Sequence, residues 1–174
     1  MLALQILGFL YGEPLHGYEL RARIGRLTGH VRPVSDGALY PAIARLESAG
    51  LLRRREEAGS GPAPRQVLSI TDAGREELLR RLREPKDSEI SDQMRFFTLL
   101  TFLSALPSRE DRARVLRRRL DFLEEPSSFF YRDGAPLRAE DVEDPYRRGI
   151  LLIARAAGKA ERAWLRETIA DLES

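Results

Sequence analysis

The chain has 174 residues, 43% of them hydrophobic and 32% charged, with a net charge of +2 and no cysteine. That length can bury a sizeable core, either as one larger domain or as two subdomains. The missing cysteine excludes disulfides, cysteine-ligated zinc and thiol nucleophiles, and it fits a reducing interior, the cytoplasm by default. Of the 29 basic residues only Lys86 and Lys159 are lysine, which genomic composition bias explains as readily as function does. Residues 1 to 87 hold 14 Lys/Arg against 11 Asp/Glu, and residues 88 to 174 hold 15 against 16. The positive excess therefore sits in the first half, where local clustering sets the field more than the total does.

Leu2, Ile6, Phe9 and Leu10 recur at helical spacing until Gly12-Glu13-Pro14 stops the pattern. This apolar start has no basic leader and no small-residue cleavage site, so it reads as a folded helix and not a signal peptide. No run is long enough to span a membrane. A second helix is expected from Leu15 or His16, with Tyr18, Leu20, Ile24 and Leu27 as its apolar stripe and Gly29 as its end. A third runs from about Ser35 to Ala49, with Gly50 as its left-handed stop. Pro41 has no N–H to give, so either regular winding begins near Gly37-Ala38 or the first turn is loose.

The stretches LLRRRE and RQVLSIT flank a Gly/Pro-rich EAGSGPAP and read as a β-hairpin with a long tip. Thr71 then caps a fourth helix that Pro85 helps close. The rest is helical by pattern: SEISDQMRFFTLLTFLSAL as one helix, SREDRARVLRRRLDFLEE as the next with Ser108 and Asp111 placed as a capping box, a loop of aromatics and charges from 127 to 144, and a last helix from about Pro145 to Leu172. The subdomain seam is expected at Pro85-Lys86-Asp87.

Three helices followed by a hairpin is the order of a winged helix-turn-helix, whose third helix enters the major groove while the hairpin reaches a neighbouring groove or the backbone. Gly37 and Ala38, just after Ser35 and Asp36, allow close approach. With Leu39, Ala42, Ile43 and Leu46 facing the core, Asp36, Tyr40 and Arg45 fall on or near the wet side. Tyr40 can stack on a sugar or donate to a phosphate, and Arg45 can pair with one. Arg53, Arg54, Arg55 and Arg65 lie on the hairpin, and strand alternation sends at least one of the consecutive three toward a duplex. The competing readings are plain: charges blunt a strand edge, and Tyr18 could serve packing between helices two and three as well as a phosphate contact.

The motifs ILGFLYGEPLHGYEL, DGALYPAIARLESAGLL and SITDAGREEL resemble the PadR family of bacterial transcription regulators over about residues 4 to 84. The second half is similar only in length and helix pattern, to longer members with a helical C-terminal domain. The resemblance implies a homodimeric repressor that binds a pseudo-palindromic operator in double-stranded DNA and is often released by a small aromatic or otherwise hydrophobic effector. Tyr18, Gly37, Leu39, Tyr40, Pro41 and Arg65 match its pattern. Ala38 departs from it, standing where a hydroxyl residue is usual, and so does Gln66-Val67-Leu68, which replaces a basic-aromatic-aromatic run.

The expectation is a mainly α chain with a small β-hairpin wing: a winged helix-turn-helix at 1 to 84 and an α-helical dimerisation or effector domain at 88 to 174. Met94, Phe96, Phe97, Leu100, Phe102 and Leu103 crowd one helix almost all round, as suits packing within the subunit and against a partner. Ala157 and its small neighbours allow close helix approach, and Trp164 is the sole Trp. Met94, Phe97, Phe102, Ala157 and Trp164 are therefore candidates for the dimer or effector surface. His16 and His30, without nearby spaced carboxylates, make no metal site. Gly59-Ser60-Gly61 is a hairpin tip and not a phosphate cradle, and no catalytic constellation rises above chance, so neither an enzyme nor a cofactor is expected. Two alternatives remain: a winged-helix protein-interaction module that has lost DNA, which Ala38 and the altered wing would suit, and a MarR-like regulator. The start of helix one at Met1 argues against the latter.

Overall fold

The computed structural model describes residues 1–27, 34–57, 65–126, 131–132 and 134–174. The chain forms two compact units, Met1–Pro107 and Ser108–Ser174. The first holds α1 (Leu2–Gly12), β1 (Leu15–His16), α2 (Gly17–Leu27), α3 (Asp36–Ser48), β2 (Leu52–Glu57), β3 (Arg65–Ile70), α4 (Asp72–Arg83), α5 (Asp87–Ser91) and α6 (Gln93–Phe102). Its sheet has the order β1-β3-β2 and is antiparallel throughout. The two-residue β1, absent from the sequence reading, pairs Leu15 with Leu68 and His16 with Val67.

The periodic apolar positions become the core. Ile6, Leu7 and Leu10 of α1, Leu20 and Ile24 of α2, Leu39 and Ile43 of α3, and Leu78 and Leu82 of α4 are all buried. Each such side chain is worth about 1.5–3 kcal/mol of hydrophobic transfer. Gly50, at φ 71, ends α3 as expected, and the Leu51 N–H reaches back to the Leu46 carbonyl. The Thr71 hydroxyl donates to the Gly50 carbonyl (2.6 Å) and accepts from the Gly74 N–H (3.0 Å). A Cβ at Gly74 would overlap the Leu51 carbonyl oxygen. These contacts lock the end of α3, the base of the hairpin and the start of α4 into one piece, and so fix how the wing stands beside α3.

The expected seam at 85 to 87 falls inside this first unit, because α5 and α6 follow it. The single helix expected across 88 to 106 is broken. Asp92 is extended and uses its carboxylate to accept the Arg95 N–H (2.9 Å), restarting the winding as α6. Phe102 lies edge-on to Phe9 of α1, with ring centroids 5.1 Å apart, and fills the space that a side chain at Gly8 would take.

The second unit pairs α7 (Arg109–Glu124) with α8 (Pro145–Glu173). Ser108 caps α7 by accepting the Asp111 N–H (3.1 Å), as the sequence suggested. Between the helices, the segment expected as a loop carries a small hairpin, β4 (Tyr131–Arg132) with β5 (Ala135–Pro136), turned at Gly134 with φ 78, and a 3-10 turn at Ala139–Asp141. The Arg119 guanidinium, 2% exposed, makes a two-pronged bond to Glu161 of α8 (2.7 and 3.2 Å). No helix among the described residues is long and apolar enough to cross a membrane.

Candidate nucleic-acid interface

α3 divides cleanly. Leu39, Ala42, Ile43 and Leu46 are buried, and Ser35, Asp36, Gly37, Ala38, Tyr40, Pro41, Ala44 and Arg45 are exposed. The exposed positions 37, 38, 41 and 44 share one face and carry nothing bulkier than a proline ring. Winding begins at Asp36, and Pro41 sits inside the helix. Its missing N–H leaves the Gly37 carbonyl without a helical partner on the exposed face, where solvent reaches it. The Ser35 hydroxyl makes no capping bond, while the Ser35 carbonyl accepts from both Ala38 and Leu39.

α2 sets the start of α3. Arg21 donates from Nε to the Val34 carbonyl (3.2 Å), and its Nη1 stands 3.1 Å from the Asp36 carboxylate. That pair neutralises the one acid in the first turn of α3, which would otherwise repel a phosphate. At the start of α2 the His16 N–H donates to Glu19 (3.0 Å), so His16 and Glu19 cap the helix. The His16 ring stacks on Tyr18, with centroids 5.6 Å apart and planes at 8°. Tyr18 is 61% exposed and does not serve packing between α2 and α3. Tyr40 is 46% exposed, and its ring lies against Gly17. Together His16, Tyr18, Tyr40 and Arg54 border a shallow hollow of about 230 Å³ between α3 and the sheet.

The wing arginines separate by alternation. Arg54 shares a face with Leu52 and Leu68, the side toward α3; Arg53 and Arg55 point to the other face. Arg54 is committed: Nε lies 2.9 Å from Glu47 of α3, and Nη1 donates to the Gln66 side chain (3.1 Å). Gln66, a departure from the resembled pattern, thus holds a guanidinium in the wing. Arg53 and Arg45 are exposed and have no ionic partner among the described residues. Arg65 opens β3 opposite Glu57. The hairpin tip with Gly59-Ser60-Gly61, together with His30, Phe129 and Phe130, lies outside the described residues. The sequence reading missed Arg21 and Glu47 and singled out Gln66 only as a departure from the resembled pattern; their partners sit across a loop or a strand pair, where no periodicity reports them.

The dimer or effector candidates part company. Phe102, expected at such a surface, is corrected to core: it is 8% exposed and held by Phe9 and Gly8. Met94 and Phe97 are exposed on α6. On α8, Tyr146, Ile150, Ile153, Ala157, Ala160 and Trp164 are all exposed and recur at alternating steps of four and three. That is the spacing of a helix–helix seam. The opposite face, with Leu151, Leu165 and Ile169, is buried.

Among the described residues no cluster of His, Asp or Glu could hold a metal ion. A small-faced third helix, a three-stranded sheet and an arginine-bearing wing define a winged-helix DNA-binding fold. Residues 6–80, somewhat less than half of the chain, match the transcriptional regulator PadR-like family. The match favours this family over the MarR-like alternative. The chain is 41% identical over 75 residues to an uncharacterized 37.1 kDa protein in transposon TN4556 of Streptomyces fradiae, of whose length it spans 20%. Among solved structures it is similar to a transcriptional regulator from Clostridium thermocellum (26% identity, 45% of this chain and 76% of that one, TM-score 0.42). It is also similar to Bacillus subtilis PadR in complex with operator DNA (21% identity, 98% of each chain, TM-score 0.45).

Proposed function

We propose that the chain is a homodimeric, cytoplasmic repressor that seats the exposed face of α3 in the major groove of a pseudo-palindromic operator and leaves it when a small hydrophobic or aromatic effector binds. The observation that carries this reading is the bare face of α3, with Arg45 on it, and Arg53 on the wing, both arginines without ionic partners among the described residues. A duplex needs both features: backbone close enough for base edges and guanidinium groups for phosphates. Tyr18 and Tyr40 border the same surface with their hydroxyl-bearing rings exposed. The division of labour follows the two ends of the chain, residues 1 to 84 for DNA and 88 to 174 for pairing and effector.

The second copy is read from α8. An exposed Tyr-Ile-Ile-Ala-Ala-Trp stripe at seam spacing is costly in water and self-complementary across a two-fold axis. Two copies of α3 would then meet successive major grooves about 34 Å apart. An effector releases DNA only by preferring a different spacing of the two reading helices.

The test is a gel shift with the intergenic fragment upstream of the gene, at two salt concentrations. Wild type should bind and weaken steeply with salt. Arg45→Ala/Arg53→Ala should flatten the slope of log K against log salt by about 2, one unit per lost phosphate contact. Equal retention of both proteins on any DNA would favour the protein-interaction module, for which the intramolecular commitment of Arg54 is the supporting observation.

A further inference from the structure

We propose that α3 reads A·T base pairs, sensing thymine by its C5 methyl group with Ala38 and Pro41 and adenine by its N6 amino group with the Gly37 carbonyl. The proposal rests on the seating of α3 in the major groove and adds what the helix recognises there.

Two residues of α3 break the rules of their own helix. Glycine and proline are the poorest helix formers, yet α3 carries Gly37 in its first turn and Pro41 inside it. Neither is explained within the subunit. Gly37 is not at positive φ, and a Cβ there would meet nothing within 4 Å. Pro41 is exposed, so its ring fills no core. The two lie four residues apart on the exposed face, and one acts on the other. Pro41 has no N–H to give the Gly37 carbonyl, which leaves that oxygen free to tilt out of the helix. Gly37, having no side chain, leaves the approach to it open. Breaks that the fold does not need belong where a protein meets its partner.

The face is selective through what it lacks. Guanine is most often read by an arginine fork, and adenine by an Asn or Gln amide. The first two turns of α3 carry neither. Asp36 is paired with Arg21 (3.1 Å), and Tyr40 lays its ring against Gly17. On the wing, Arg54 is held by Glu47 (2.9 Å) and Gln66 (3.1 Å). Arg45 lies seven residues past Ala38, about 10 Å along the axis. The Ser35 hydroxyl, which makes no capping bond, can bond to any base edge and so discriminates none. There remain the Ala38 methyl, the Pro41 ring and one carbonyl acceptor. In the major groove only thymine carries a methyl group, and only adenine and cytosine present an amine. An A·T pair alone offers both.

The test uses the upstream intergenic fragment made with thymine throughout or with uracil throughout, which removes the C5 methyls and keeps the base pairing. Wild type should bind the thymine form about tenfold or more tightly, at about fourfold for each methyl buried. Partial uracil substitution should locate those methyls in two clusters about one helical turn apart. Purine in place of adenine within a cluster removes the N6 amine and should cost about fivefold. Pro41→Ala returns an N–H to the Gly37 carbonyl. It should raise the melting temperature, weaken binding of the thymine form and cut the purine penalty to about twofold or less, whereas a purely structural Pro41 would leave that penalty unchanged. Ala38→Gly should shrink the thymine preference alone. Wild type that footprints the fragment yet binds both forms equally, or a purine penalty that Pro41→Ala leaves intact, would overturn the base reading and leave DNA binding standing. Wild type that binds neither form overturns both.

Discussion

α3 and α8 each bury one face in their own unit and offer the other to solvent, yet the offered faces are opposites. α3 presents Gly37, Ala38, Pro41 and Ala44, beside Arg45. α8 presents Tyr146, Ile150, Ile153 and Trp164, with Ile153 72% exposed. A face of small side chains beside guanidinium groups without ionic partners among the described residues buries little area from water and suits a grooved polyanion. Large apolar surface costs stability until another apolar surface covers it. The two faces thus imply different partners, nucleic acid for one and protein for the other.

The largest effect should come from removing what fixes the buried face of α8. Glu161→Ala removes the carboxylate that takes both prongs of the buried Arg119 guanidinium, and urea unfolding should show a loss of about 3–5 kcal/mol. Next, Ile150→Glu/Ile153→Glu strikes the offered face of α8. Sedimentation velocity should show a monomer, and operator affinity should fall by about 10²-fold or more, because the second half-site loses its tether. A dimer that survives both charges would place the interface elsewhere.

The same logic applied to α3 predicts a gain. Glu47→Gln releases Arg54 toward phosphate and removes a nearby negative charge. The exposed pair is worth about 0.2–1 kcal/mol, so DNA should bind roughly two- to fivefold more tightly in the gel shift. The smallest effect belongs to a helix that offers neither face. On α4 the Arg80 hydrogen bond, helped by Arg81, holds the Glu77 carboxyl down at about 2, against its own desolvation. A depressed folded-state value means stability that is present above pH 4.5 and lost as pH falls through about 2. Glu77→Gln should cost about 0.3–0.5 kcal/mol near neutrality, with wild type and variant converging toward pH 2 in thermal melts and DNA binding unchanged.

Much of the first unit is legible because its signals are local. The 3.6-residue period places Leu39, Ile43 and Leu46 inside and Tyr40 and Arg45 outside, and Gly50 and Thr71 mark their boundaries by chemistry that only their own turns need. The break at Asp92 is hidden because apolar residues continue on both sides of it. β1 is too short to show alternation. Arg21–Asp36 and Arg54–Glu47 join residues whose proximity depends on tertiary packing. Arg119 is an instructive miss: within Arg117-Arg118-Arg119 the run looks evenly solvated, yet position 119 continues the buried positions Val115 and Leu116. Read on its helical face, it stands out as a charge that needs a partner. Phe102 misled for the opposite reason, since a ring on a helix apolar all round does not say which side its own unit has filled.

The central claim is that α3 lies in the groove, and the absence of cysteine permits a direct test. Ala44→Cys carrying an iron chelate should cut operator DNA in two clusters about one helical turn apart, while the same chelate on Glu167→Cys of α8 should give no such pattern. Unlocalised cutting from position 44 by a protein that still binds the fragment, or localised cutting from position 167 alone, would contradict the account.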